Sequence, residues 1–294
     1  MDTIIYKANP GIGDVIQDMP AVSPIVGKMT EISHEMDTSA RDLVKIIMID
    51  PVLTGKVLRL VNSSFYGLSQ SVNSLAQAIV LLGVNTVKSM ALSTAVVSTL
   101  FHEEEGFPLT PQEFWRHSLA VAVGAKLLAK ERKVTSAELE TYFVAGLLHD
   151  IGKILFIRTE PARYRRAIEE AREFEVSLPF AEIALLGYNH CRAGRMLARH
   201  WKLDPTLSIV IERHHRPDTP PGNPLLEIVV VANAMAKRAG LGSAGNPVIE
   251  EWADGIAARE GISESVIAGA AEALPRELEK AEVFLKLAQE APSA

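Results

Sequence analysis

Residues 50–61 read Asp-Pro-Val-Leu-Thr-Gly-Lys-Val-Leu-Arg-Leu-Val, and the fold class follows from their arrangement. Asp50 offers a side-chain oxygen to the first unpaired amides of a helix, and Pro51 presets φ where its missing N–H costs nothing. Behind them Leu53, Val57, Leu58 and Val61 recur at intervals of three and four, which is one apolar stripe of a helix. Just upstream, Leu43, Ile46 and Ile47 follow the same period. The cap-then-proline start returns at Ser23-Pro24, Thr110-Pro111, Asp204-Pro205, Asn223-Pro224 and Asn246-Pro247. Ser74 with Gln77, and Thr135 with Glu138, read as capping boxes. Gly83 and Gly240 stand where left-handed C-terminal caps are needed. Period-two alternation is nearly absent, so the chain reads as an all-α protein of about a dozen helices.

Working outward, the acidic, turn-rich stretch from His102 to Pro108 separates two apolar blocks and predicts an N-terminal helical half over residues 1–108. Most histidines lie in a second helical half, residues 109–240. Gly-Ser-Ala-Gly-Asn-Pro after Leu241 opens a C-terminal helical extension over 241–294. The 294 residues are 48% hydrophobic and 22% charged, the balance of a folded protein. A net charge of −6 argues against nucleic acid as the main ligand, because phosphate binding needs clustered Lys and Arg. Cys191 is the only cysteine, so no intrachain disulfide forms. The first residues lack a basic and then apolar leader, and the apolar run from Leu225 to Ala236 is too short and polar to cross a bilayer. These features predict a cytoplasmic protein without a membrane partner.

Five of the eight histidines fall at 117, 149, 190, 214 and 215, separated by helices, so only folding can bring them together. Glu113 and His117 share a helix face at a spacing of four. His149 and Asp150 close the apolar segment Val144-Ala-Gly-Leu-Leu, and Gly152 allows the helix end from which both reach one centre. His190 opens a helix, and His214 with His215 closes another. Asn233 interrupts the apolar run Ile228-Val-Val-Val-Ala-Asn-Ala-Met-Ala and needs a partner there. Imidazole nitrogens mixed with carboxylate oxygens suit iron, manganese, nickel or zinc. The two oxygens of Asp150 can bridge two such ions, an arrangement suited to phosphoester hydrolysis.

These residues resemble a known family. His117, then His149-Asp150, then position 233 is similar to the H…HD…D pattern of HD-superfamily metal phosphohydrolases, and His190 with His214-His215 resembles the extended ligand set of its HD-GYP branch of cyclic di-GMP phosphodiesterases. The whole frame resembles a third branch, the HDOD domains of bacterial signalling. Residues 51–67, Pro-Val-Leu-Thr-Gly-Lys-Val-Leu-Arg-Leu-Val-Asn-Ser-Ser-Phe-Tyr-Gly, and Ser74-Leu-Ala-Gln-Ala-Ile-Val-Leu-Leu-Gly carry that likeness, continued by Gly194, Leu197, Trp201 and His214-His215. The resemblance covers roughly residues 12–238. It implies that His117, His149 and Asp150 hold one ion, that Asp150, His190 and His214 hold a second, and that Glu113 and His215 extend the site. It also implies that Lys153 meets a substrate phosphate, which would make Asp150 and Lys153 the catalytic pair of an enzyme acting on a phosphate-containing small ligand. Two departures stand against turnover. Asn233 replaces the final aspartate and offers only a neutral oxygen. After His215 the chain reads Arg-Pro-Asp-Thr-Pro-Pro-Gly-Asn-Pro, without Gly-Tyr-Pro.

Simpler readings stand beside these. Glu113 fits the N3 position of a Thr110 capping box. Lys153 can counter a helix dipole, and protonated His214 and His215 can do the same. Arg192, Arg195 and Arg199 form a basic stripe, by default solvated. Cys191 reads as a small buried hydrophobe pointing away from the ligands, and Phe65 and Tyr66 as core or junction aromatics. His34, His102 and His200 are assigned to the surface. The expectation is a bacterial signal-transduction protein of HDOD type, non-catalytic and acting through protein partners, with a histidine-rich metal site. The alternative is a metal-dependent phosphohydrolase, and the bland case is a metal-free helical scaffold.

Overall fold

Every regular element among the described residues is an α-helix. The computed structural model describes residues 27–29, 40–100, 107–216, 222–246, 248–249, 252–259 and 261–290. The Ser23-Pro24 start, Pro247, His34 and His102 lie outside them. The N-terminal half contains α1 (Ala40–Ile47), α2 (Pro51–Val61), α3 (Leu75–Leu82) and α4 (Val84–Leu100). The second half runs through α5 (Pro111–Glu131), α6 (Ser136–Leu148), α7 (Gly152–Thr159), α8 (Pro161–Glu173), α9 (Leu178–Leu186), α10 (His190–His200), α11 (Pro205–Arg213) and α12 (Pro224–Arg238). Then follow α13 (Trp252–Arg259), α14 (Glu264–Ala281) and α15 (Val283–Gln289).

The starts sit where the local chemistry put them. Asp50, Ser74, Thr110, Asp204 and Asn223 each accept a backbone N–H of the turn they open. Thr135 and Glu138 complete a reciprocal capping box. Each such cap is worth about 1 kcal/mol because it satisfies an amide with no intrahelical partner. Gly240 follows α12 at φ 63°, as a left-handed cap requires. Gly83 has φ 88° but an extended ψ of 157°, so it swings the chain directly into α4.

The core is organised around α5, which is buried on nearly every side from Phe114 to Ala129. It packs against α6, α12 and α14. Gly146 permits the α5–α6 approach: a Cβ there would lie 2.7 Å from the Ala122 Cα. A tighter crossing joins α7 to α10, where a Cβ on Gly152 would lie 1.9 Å from the His190 carbonyl oxygen. Gly194 completes this crossing, its own Cβ position being 3.2 Å from the Gly152 nitrogen. The result places the His149-Asp150 turn directly against the start of α10.

The C-terminal segment is joined to both halves. Helix α14 lies on α5, while α15 packs on α2 and α4. Phe284 of α15 meets Phe65 at 6.2 Å and Phe143 at 5.3 Å, and Phe65 stands edge-on to Tyr66 at 4.9 Å. Phe65 and Tyr66 are therefore junction aromatics, capped by the Lys126 ammonium 5.2 and 5.5 Å above their rings. No helix among the described residues is long and apolar enough to cross a membrane.

Candidate metal centre

The site is assembled from five helix ends and interiors. His117 comes from the middle of α5, His149 and Asp150 from the turn after α6, His190 from the first residue of α10, His214 and His215 from the end of α11, and Asn233 from α12. Two groups of side chains offer ligand atoms mutually within 4.8 Å: His117, His149 and Asp150, and Asp150, His190, His214 and His215. Asp150 belongs to both, as a bridging carboxylate requires. All of these residues are buried except His215, which is half-buried.

The hydrogen bonds settle which nitrogens face inward. His149 Nδ1 lies 2.7 Å from the Gly146 carbonyl oxygen and must donate to it, leaving Nε2 as a lone pair. His214 Nδ1 donates to the Ile211 carbonyl oxygen at 3.0 Å. His190 Nδ1 donates to Glu182 Oε2 at 2.6 Å, and the His190 backbone N–H donates to the same oxygen at 2.8 Å. The Nε2 atoms of His190 and His214 therefore point inward, 3.2 Å from one another and 3.2 and 3.3 Å from Asp150 Oδ1. His149 Nε2 stands 3.2 Å from Asp150 Oδ2. His117 Nε2 lies 3.1 Å from Asn233 Oδ1.

Such a gathering of acceptor atoms is repulsive unless protons or a cation sit among them. His149 Nε2 and Asp150 Oδ1 have no hydrogen-bond partner although both are buried. The donor set of imidazole nitrogens, carboxylate and amide oxygen fits a divalent transition ion, and the outward Nδ1–H bonds to carbonyl or carboxylate oxygens are the support that histidine ligands need. The electrostatics differ around the cluster. Burial pushes the His149 pKa down and brings that of His117 to about 3. Burial opposes ionisation of Asp150 as well, but His149 and Lys153 outweigh it and hold the carboxyl well below its usual range. For His190, burial is overcome by the Glu182 carboxylate, which lifts the imidazole well above its normal value. His214 is raised to about 9, with Cys191 and Asp150 overcoming burial.

Several expectations need correction. Glu113 does not join the cluster: it is exposed at the N3 position of α5, where its backbone N–H donates to Thr110 Oγ1 at 3.2 Å. At that first turn its side chain points to solvent while His117, one turn further on, lies inside. Lys153 does not face an open site. Its ammonium, 1% exposed, donates to Asp150 Oδ2 at 2.7 Å and to the Ala244 carbonyl oxygen at 2.9 Å. Cys191 does not point away from the ligands, since its Sγ is 4.0 Å from His214 Nδ1. Burial would raise its thiol pKa, but His214 and His190 bring it to about 6. His200 is exposed, as assigned.

Two contributors escaped the sequence reading. Glu182, fully buried, anchors His190. The segment 241–246 is part of the enclosure: Ser243 N–H donates to the Glu113 carbonyl oxygen at 3.1 Å, Ala244 receives Lys153, and Asn246 Oδ1 accepts the Leu178 N–H at 3.3 Å. Gly242 lies so close to α5 that a Cβ would come within 2.4 Å of the His117 backbone nitrogen.

The sequence matches the HDOD domain over residues 19–217, a stretch that contains α1 to α11 and every histidine of the cluster. The chain belongs to the HDOD family. Among solved structures, an HDOD domain protein of unknown function from Geobacter sulfurreducens is 25% identical with a TM-score of 0.71, the alignment covering 94% of this chain and 93% of that one. A candidate phosphohydrolase from Shewanella amazonensis is likewise 25% identical, with a TM-score of 0.73 and coverage of 94% and 97%. A curated protein from Treponema pallidum, uncharacterised, is 23% identical over 235 residues, 79% of this chain; the match spans 45% of that relative's length. Asn233 and the 241–246 enclosure lie beyond the residues of the HDOD match.

Proposed function

We propose that this HDOD chain is a cytoplasmic bacterial signalling protein that acts through protein partners and does not turn over a substrate, built around a buried divalent-metal centre. The carrying observation is Lys153. The amine that would meet a substrate phosphate is held between Asp150 and Ala244 and shut away from solvent. Asn233 supports the same reading, because a neutral oxygen beside His117 adds no anion to the first ligand group.

His117, His149 and Asp150, with the Asn233 oxygen, would hold one ion, and Asp150, His190, His214 and His215 a second. When bound, the ion would take the place of the protons on the inward nitrogens and would supply, in a hydrolase, a Lewis acid for a phosphoester. The chain's own residues do the rest. Gly146, Ile211 and Glu182 orient the imidazoles, Asp150 joins the two groups, and Lys153 offsets the carboxylate charge. Ligands drawn from α5, α6, α10, α11 and α12 make such a centre a tie across the second half.

A second reading is a metal-dependent phosphohydrolase, favoured by one feature: His215 is only half-buried and reaches a cleft, so the second group is not sealed on that side. Elemental analysis of untagged protein, followed by assays with cyclic dinucleotides and simple phosphoesters under added manganese, iron, nickel or zinc, separates the readings. We expect bound transition metal and no turnover above background. Robust turnover abolished by Asp150→Ala would replace the first reading with the second, and absence of metal would leave the cluster a hydrogen-bonded core network.

A further inference from the structure

A cleft of 520 Å³ lies beside the second ligand group, bounded by the α9–α10 connection, the outer face of α10 and the end of α11. Its lining carries Arg192, Arg195, Arg213 and Arg216 against a single carboxylate, Glu212, which is paired with Arg195. This concentration of guanidinium groups stands out on a chain whose net charge is −6. It also gives part of the α10 arginine stripe a location: Arg192 and Arg195 line the cleft, whereas Arg199, exposed on the same helix, is not among its lining residues.

We propose that this cleft binds a small organic phosphate carrying at least two negative charges, its phosphate on the arginines and its organic part against the Tyr188 ring. The chemistry is that of the guanidinium, whose planar fork matches phosphate oxygens two at a time and never loses its charge. Concavity selects a small molecule over an acidic protein segment, since the volume falls within the range of about 300–1,000 Å³ typical of ligand sites. Tyr188, half-buried and packed on Phe156 at 5.2 Å between ring centres, supplies a rigid flat wall. His215 belongs both to the lining and to the second ligand group, so an occupant touches the metal centre from outside. The cleft thus gives the signalling reading an input. It goes beyond that reading, because the arginines are in place with or without an ion.

The test is calorimetric titration of the full chain with ADP and with inorganic pyrophosphate, in metal-loaded and in chelator-treated protein, with a glutamate-rich peptide as competitor. ADP binds both preparations and binds more tightly than pyrophosphate. Arg192→Ala and Arg216→Ala, at exposed positions where circular dichroism verifies the fold, each weaken ADP by about tenfold or more, while Arg199→Ala leaves it unchanged. Binding seen only in loaded protein and insensitive to the arginine variants would overturn the cleft while favouring phosphate on the ion. No binding of either probe at millimolar concentration, or displacement of ADP by the peptide, would also overturn it. Equal affinity for ADP and pyrophosphate would remove the role given to Tyr188.

Discussion

The two ligand groups share Asp150 and differ in almost everything around it. The His117–His149 side is closed, its remaining oxygen donor is the neutral Asn233, and burial keeps its imidazoles uncharged. On the His190–His214 side a buried carboxylate, Glu182, stands behind one imidazole, both imidazoles are biased towards the protonated form, and His215 opens on an arginine-lined cleft. A buried cluster of one residue type therefore holds two electrostatic environments, set by what stands behind each ring. The closed side suits permanence, and the open side suits response.

The largest expected effect is that of Asp150→Ala, which attacks what the sides share. It removes the bridging carboxylate and leaves Lys153 buried beside the hole, so stability falls by about 3–5 kcal/mol and elemental analysis finds neither ion. Retention of a full ion would break the sharing. Next, Glu182→Gln keeps the shape but weakens the anchor on His190; chelator competition should show affinity on the open side lower by about 10–100-fold, with the closed side unmoved. Equal loss on both sides would show that Glu182 acts through the fold as a whole.

Acidity separates the sides further. In the ion-free chain His214 stays protonated up to a pKa of about 9, so an entering ion must expel its proton. Affinity on the open side then rises through neutrality by about tenfold per pH unit for each proton expelled, and His190, also raised, adds its proton to that of His214. His117, with a pKa of about 3, is already neutral, and the closed side stays flat over the same range. The ion-free fold shows the converse sign: the His214 proton contributes stability fully present below the ordinary value of 6.5 and lost as pH rises through about 9. Titration calorimetry in two buffers of different ionisation enthalpy measures the protons released, and release from both sides alike would contradict the contrast. The smallest effect is Asn233→Asp, which adds an anion to the closed side and raises metal retention there by about tenfold or less; unchanged retention would mean that residue 233 does not touch the ion.

Much of the fold was legible because helix starts are local events. Asp50, Thr135 and Asn223 announce themselves within four residues of chain, and the structure caps helices with each of them. The apolar character of α5 and α12 was equally plain. Glu182 was not legible, and the helix that carries it shows why. In α9 the charged Glu182 is fully buried while Phe180 and Ile183 are 65% and 45% exposed, the reverse of what hydropathy period predicts. A carboxylate turns inward there only because His190 waits for it, and nothing in the local sequence states that. Glu113 failed in the opposite sense: a spacing of four puts two residues on one helix face without saying how far that face extends inside.

By itself the chain determined its helices, their caps and the inventory of metal-seeking side chains, since these depend on residues within a turn or two of one another. Only the tertiary structure decided which of those side chains meet. The glycine crossing of α7 on α10 and the closure of residues 241–246 over Lys153 join elements tens of residues apart, the inward turn of Glu182 joins α9 to α10 across their connection, and such contacts exist only after the core has packed.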